Sequence, residues 1–160
     1  RGNTKSTTVM IAKGSSGTAR NYWLRTTNKA MTFGFTGTTT NEFTTNIAIG
    51  VNSWHHLVAT FDDAGDSVSL YFDGVLVQQF STTAVPVVNT GSLYIGRSQE
   101  GEYFLGRLDE VQIYNSVLTA EEVAAFCEGR LAPFKIPAVI EIVESLPLGP
   151  TGKVQKKLLK

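Results

Sequence analysis

The chain of 160 residues holds a single cysteine, Cys127. One thiol closes no internal disulfide, so folding rests on side-chain packing and not on covalent staples. No apolar run is long enough for a helical membrane span. Neither sign of charge is in excess, since Lys plus Arg and Asp plus Glu each number 14; that gives no electrostatic case for nucleic acid, and no membrane insertion is expected. No N-x-[ST] acceptor and no secretory signal pattern is seen. Histidine is scarce: the two present are the neighbours His55 and His56. Adjacent strand residues point to opposite faces, so the pair does not jointly ligate a metal, and His55 is expected as a hydrogen-bonded residue at a sheet rim.

What is present is a globular composition, 42% hydrophobic and 18% charged, in short alternating segments between turn clusters. The clearest stretch runs from Trp54 to Phe80 and reads as three antiparallel strands. Leu57, Ala59 and Phe61 share one face, and so do Val68, Leu70 and Phe72. Asp62 to Asp66 is a turn cluster, and Asp73-Gly74 is a two-residue hairpin signal. Further strands are predicted over Val9–Lys13, Asn21–Thr26, Ala30–Thr36, Phe43–Ile49, Leu93–Gly96 and, as one long strand, Phe104–Tyr114. Thr119-Ala120-Glu121-Glu122 is a capping box that starts a helix, with Val123, Phe126 and Cys127 on one face and Gly129 at its end. Another strand is expected over Ala138–Val143, and a short basic helix over Val154–Lys160. Charge divides the chain: residues 1–129 carry 8 basic and 12 acidic residues, and residues 130–160 carry 6 basic and 2 acidic, as segments of different origin would.

Two resemblances match that division. WHHLVATFD, SLYFDGVLV, GSLYIGR and GRLDEVQIYNSVLTAEE, in that order, resemble the laminin G-like (concanavalin A-like) jelly roll over about residues 9–122. This resemblance implies an all-β, antiparallel jelly-roll β-sandwich that binds glycans or proteins outside the cell. Such sequences usually carry further strands before the one matched by TTVMIAKG, so an N-terminally incomplete fragment is expected. LAPFKIP and LPLGPTGK resemble the C-terminal end of acyl-CoA synthetases, the adenylate-forming ligases, over about residues 118–160. The lysine that contacts the acyl-adenylate in that family corresponds to Lys153, and a cytoplasmic setting is implied for this part. The expected organisation is therefore a sandwich over 1–117 joined to a ligase-like α/β tail over 118–160, as a fragment or chimera. No nucleotide-binding domain precedes the tail, so Lys153 is not expected to be active and ATP is not expected as a cofactor.

The remaining chemistry has two readings at each position. Asp109 shares a predicted strand face with Leu105, Val111 and Ile113. A carboxylate turned inward needs a partner, and the jelly-roll resemblance places Asp109 close to a structural calcium; the alternative is bonding to loop amides or Arg107. Asp62, Asp63 and Asp66 form either a surface cation site or a solvated turn. Tyr22, Trp23 and Tyr103, with Phe104, form either a platform for sugar stacking or parts of the core and rim. Glycoside hydrolysis needs two carboxylates flanking one bond. Asp109 and Glu110 are adjacent and point to opposite faces, which argues against it. Gly149 to Lys153 has the spacing G-x-x-G-K and lacks the Ser or Thr of a phosphate loop. A non-enzymatic glycan- or protein-binding module is the expectation; the alternative is an acyl-CoA synthetase fragment, inactive alone.

Overall fold

A computed structural model describes residues 7–15, 20–50, 52–128 and 130. The expected strand at Ala138–Val143, the basic helix at Val154–Lys160, Gly129 and Lys153 lie outside these residues.

Among the described residues eight strands and one helix follow in order: β1 Thr7–Lys13, β2 Tyr22–Thr27, β3 Ala30–Thr36, β4 Thr40–Ala48, β5 Leu57–Asp62, β6 Ser67–Phe72, β7 Val75–Ser81, β8 Leu93–Ile95 and α1 Ala120–Cys127. They build two antiparallel sheets. The larger has the order β4-β3-β2-β1-β8, and the smaller has the order β5-β6-β7. The alternation explains the layering. Leu24 pairs with Phe33, and Phe33 with Phe43, so one face of the larger sheet is a continuous apolar row. It packs on Val68 and Leu70 of the smaller sheet, with Met31 and Phe35 between them. The ring of Phe35 meets Phe61 edge-on at 5.1 Å, and Phe43 meets Phe80 at 5.4 Å. These contacts set β5 over β3 and β7 over β4. The three-stranded sheet therefore covers only the β3–β4 side of its five-stranded partner.

The turns follow their sequence signals. Asp73 and Gly74 both take positive φ, 51° and 85°, the conformation a two-residue primed hairpin requires. In the β5–β6 turn the Gly65 amide donates to Asp62 Oδ1 at 3.0 Å, the local role that makes Asp a turn residue. The capping box forms as read: Glu122 N donates to Thr119 Oγ1 at 3.2 Å, and Thr119 N donates to Glu122 Oε2 at 2.8 Å.

One expected element is absent. Residues Phe104–Tyr114 form no strand; the neighbourhood has only an isolated bridge between Arg97 and Tyr103. Glu110 sits in the left-handed region, at φ 50°. That conformation interrupts an extended run and breaks the inward alternation assumed for Asp109, Val111 and Ile113. Leu105, Val111 and Ile113 are all exposed. On the apolar faces of β5 and β6, Phe61 and Phe72 are partly buried, whereas Leu70 is fully buried.

Leu70 stands at the centre of the core. Leu70→Ala is expected to cost about 2–5 kcal/mol, read as a lower urea midpoint at unchanged slope; a loss below about 0.5 kcal/mol would contradict this placement.

Candidate functional site

Three places gather the polar and aromatic chemistry. The first is the β6–β7 turn. Asp73 is only 7% exposed, a costly position for a carboxylate without partners. It has them. Its Oδ1 accepts from His56 N at 2.8 Å, and its Oδ2 accepts from His55 Nδ1 at 2.9 Å. In the neutral ring, His55 Nε2 then accepts the Ser53 hydroxyl at 2.7 Å. The order Ser–His–Asp is that of an acyl-transfer relay. Ser53, however, is exposed and is not among the residues that line the cavity beside β5. The network serves to tie the chain before β5 to the β6–β7 turn.

His56 turns the other way and meets α1. Its ring stacks on Phe126 at 4.8 Å, and Cys127 Sγ lies 3.1 Å from His56 Nδ1. Burial lowers the His56 pKa, more than Asp73 raises it, with Arg130 lowering it further. Burial, then the Asp73 charge, raises that of Cys127. Both groups are thus held neutral, and the thiol donates to the imidazole. Cys127 also closes over Gly74, where an added Cβ would sit 3.1 Å from Sγ.

The second place is the outward face of the larger sheet. Trp23 pairs with Ala12 and Gly34, and its ring lies across Gly34, where a Cβ would meet it at 2.4 Å. The Arg20 and Arg25 guanidinium carbons lie 5.3 and 5.9 Å from the ring centre. Arg20 is held by Glu100 at 2.5 Å and Glu102 at 3.5 Å, and Arg25 by Glu42 at 2.6 Å. Under this cover Trp23 is 2% exposed and offers no stacking face. Tyr22, its strand neighbour, points into the sandwich and packs against the core; burial raises its pKa. Tyr103 is 54% exposed. The structure therefore does not assemble the three expected aromatics into one platform.

Tyr103 instead stands on a loop that is tied down. Ser98 N donates to Glu102 O, Glu102 N to Ser98 Oγ, and Phe104 N to Gly96 O. Ser98 is fully buried, and the Arg20 pairs with Glu100 and Glu102 fasten the loop to the sheet. Nearby, Arg97 lies over the Tyr94 ring at 4.9 Å.

The third place is a cavity of about 810 Å³ where the smaller sheet stops short. Ile11, Leu24 and Phe33 form its floor, β5 one wall, and the irregular segment 108–118 the other. Asp109 is on that segment, exposed, with its Oδ1 accepting from Glu110 N at 2.9 Å. Among the described residues no three Asp, Glu, His or Cys side chains converge to hold a metal ion, and no helix is long and apolar enough to cross a membrane.

Known proteins place this architecture. The family model described as the concanavalin A-like lectin/glucanases superfamily matches residues 1–124. The heptameric SAP-like pentraxin of Limulus polyphemus aligns with a TM-score of 0.63 at 14% identity, over 78% of this chain and 64% of that chain. The CBM40 of the Ruminococcus gnavus IT-sialidase aligns with a TM-score of 0.60 at 15% identity, over 74% and 73%. At these identities the likeness is one of fold. Among curated sequences, a 3-[(3aS,4S,7aS)-7a-methyl-1,5-dioxo-octahydro-1H-inden-4-yl]propanoyl:CoA ligase of Rhodococcus jostii is 33% identical over 124 residues, 70% of this chain and 24% of that protein. The mitochondrial medium-chain acyl-CoA ligase ACSF2 of Mus musculus is 52% identical over 42 residues, 26% of this chain and 7% of that protein. The chain thus spans about a quarter of the first ligase's length and less than a tenth of the second's.

The neutral His56 sets a pH dependence. A histidine whose folded pKa is lowered binds its proton more readily in the unfolded chain, so stability falls as pH drops below the ordinary value near 6.5. His56→Gln is expected to flatten that fall, seen as urea midpoints that change less between about pH 7 and 5 than those of the wild type. Equal slopes would place the acid sensitivity elsewhere.

Proposed function

Because the chain belongs to the concanavalin A-like lectin/glucanases superfamily, we propose that its sandwich is a non-enzymatic binding module for a glycan or a protein, working outside the cell or at its surface. The observation that carries this is Tyr103, a half-exposed ring on a loop pinned by the buried Ser98 and by Arg20. Aromatic rings on rigid loops present apolar area at low entropic cost, and sugars stack on such faces. The CBM40 of the sialidase, a neighbour in fold, supports the glycan arm of this reading.

Calcium at Asp109 is part of the proposal as an auxiliary. Its carboxylate is exposed and no other acidic pair converges on it among the described residues, so an ion there would be held by this carboxylate with water filling the rest of its shell. A glycan-array screen followed by calorimetry, with calcium and with chelator, tests both ideas. Tyr103→Ala is expected to weaken any binding by about tenfold, the upper end of what a stacked ring contributes. Asp109→Asn is expected to remove any gain due to calcium. Screens that stay blank in both conditions would sink the glycan reading.

A second reading has its own support, the 52% identity over 42 residues to an acyl-CoA ligase. We infer a ligase-like C-terminal segment carried by a sandwich, in a fragment or chimera. Lys153 would supply positive charge to a phosphoryl group only if placed accurately against a nucleotide domain. The 160-residue chain is expected to release no pyrophosphate above blank from ATP, magnesium and a panel of fatty acids. Release that vanished in Lys153→Ala would promote the ligase reading over the binding module.

A further inference from the structure

The cavity beside β5 has a feature that neither a sugar nor a lipid matches. β5 is an edge strand, bonded on one side to β6. His56, just before it, donates its N–H to Asp73 Oδ1 and accepts the Asp73 amide at its carbonyl, so the residue at 56 faces the β6 side. Backbone direction alternates along an antiparallel strand. With Leu57 opposite Phe72 and Phe61 opposite Val68, residues 58, 60 and 62 follow His56 toward β6. Leu57, Ala59 and Phe61 therefore turn their N–H and C=O groups to the cavity, where no described strand pairs with them. A row of backbone groups that the described residues leave unpaired, between apolar walls, is unfavourable as it stands. What satisfies it is another backbone, at the regular spacing of a strand.

The side chains define the rest of the occupant. Ile11 and Leu24 from the larger sheet and Val111 and Ile113 from segment 108–118 give apolar surface to both sides of the gap. Among the described residues the cavity is also lined by Asp62, Asp63, Asp109, Glu110 and Glu122, and by no Lys or Arg. We propose that this cavity binds an extended polypeptide of alternating apolar and basic residues, added as a strand along the open edge of β5. Main-chain bonds to Leu57, Ala59 and Phe61 supply register, the apolar walls take alternate side chains, and the carboxylates select basic ones. The site is separate from the Tyr103 loop.

The test uses the whole chain and a blocked synthetic peptide of about seven residues alternating valine and lysine, the length of one strand. Calorimetry is expected to show binding, at least about tenfold weaker for the same peptide with glutamate in place of lysine. Ala59→Pro removes one cavity-facing N–H and leaves the β6 ladder intact, a substitution edge strands accept. It is expected to lower peptide affinity at least tenfold while the thermal melt stays that of the wild type. Should that variant fold poorly, Asp63→Lys with Glu110→Lys, both at exposed positions, is expected to give the same loss without touching the backbone. Tyr103→Ala is expected to leave peptide binding unchanged, which separates failure here from failure of the glycan reading. Absence of binding, equal affinity for the lysine and glutamate peptides, or full affinity in well-folded Ala59→Pro would overturn the proposal. So would concentration-dependent self-association abolished by Ala59→Pro, since a second copy would then own the edge.

Discussion

The buried carboxylate of Asp73 is the constraint on which the smaller sheet and the helix depend. A charge at 7% exposure persists only where donors surround it, and here both come from the residues that lead into β5. The same turn carries Gly74, against which Cys127 of α1 closes. One two-residue turn thereby fixes the start of β5, the pairing of β6 with β7, and the seat of the helix. Removing the carboxylate would leave the His55 ring N–H and the His56 amide without their acceptor, in a region where water enters poorly.

The width of the sheets follows from what these ties reach. β5, β6 and β7 form one meander held by two tight turns, and the rings of Phe61 and Phe80 register it over β3 and β4. Nothing in that meander extends toward β1 and β8. Ile11 and Leu24 are left facing the cavity, with segment 108–118 as its irregular far wall, and Ile95 of β8 is exposed. The functional questions concentrate there because an incomplete layer leaves both apolar surface and backbone polarity to be satisfied.

Much of this was legible in the residues. Alternating runs between turn residues located the eight described strands; β1 to β7 each place apolar residues in a buried cluster, whereas Leu93 and Ile95 of β8 are exposed, and the hairpin and capping signals gave their own local geometry. The long strand at Phe104–Tyr114 was misread because alternation reports side-chain polarity and says nothing of the left-handed turn at Glu110. Asp73 read as a turn residue, yet its bonds to the adjacent histidines span 17 and 18 positions of sequence, beyond any local pattern. Trp23 and Tyr103 looked alike as candidates for stacking. The difference between them is made by Glu100 and Glu102, which hold Arg20 across the Trp23 ring from a distant loop.

That enclosure divides the two tryptophans sharply. Trp23 is shut between a glycine and two guanidinium groups, with its indole N–H buried and unpartnered among the described residues, while Trp54 is 52% exposed. Indole emission shifts with the polarity of its surroundings, so native fluorescence is a composite of a blue component from Trp23 and a red component from Trp54. Iodide added outside should quench the second and spare the first. The protein thus carries its own optical reporter of whether the arginine cover on the outer sheet stays closed.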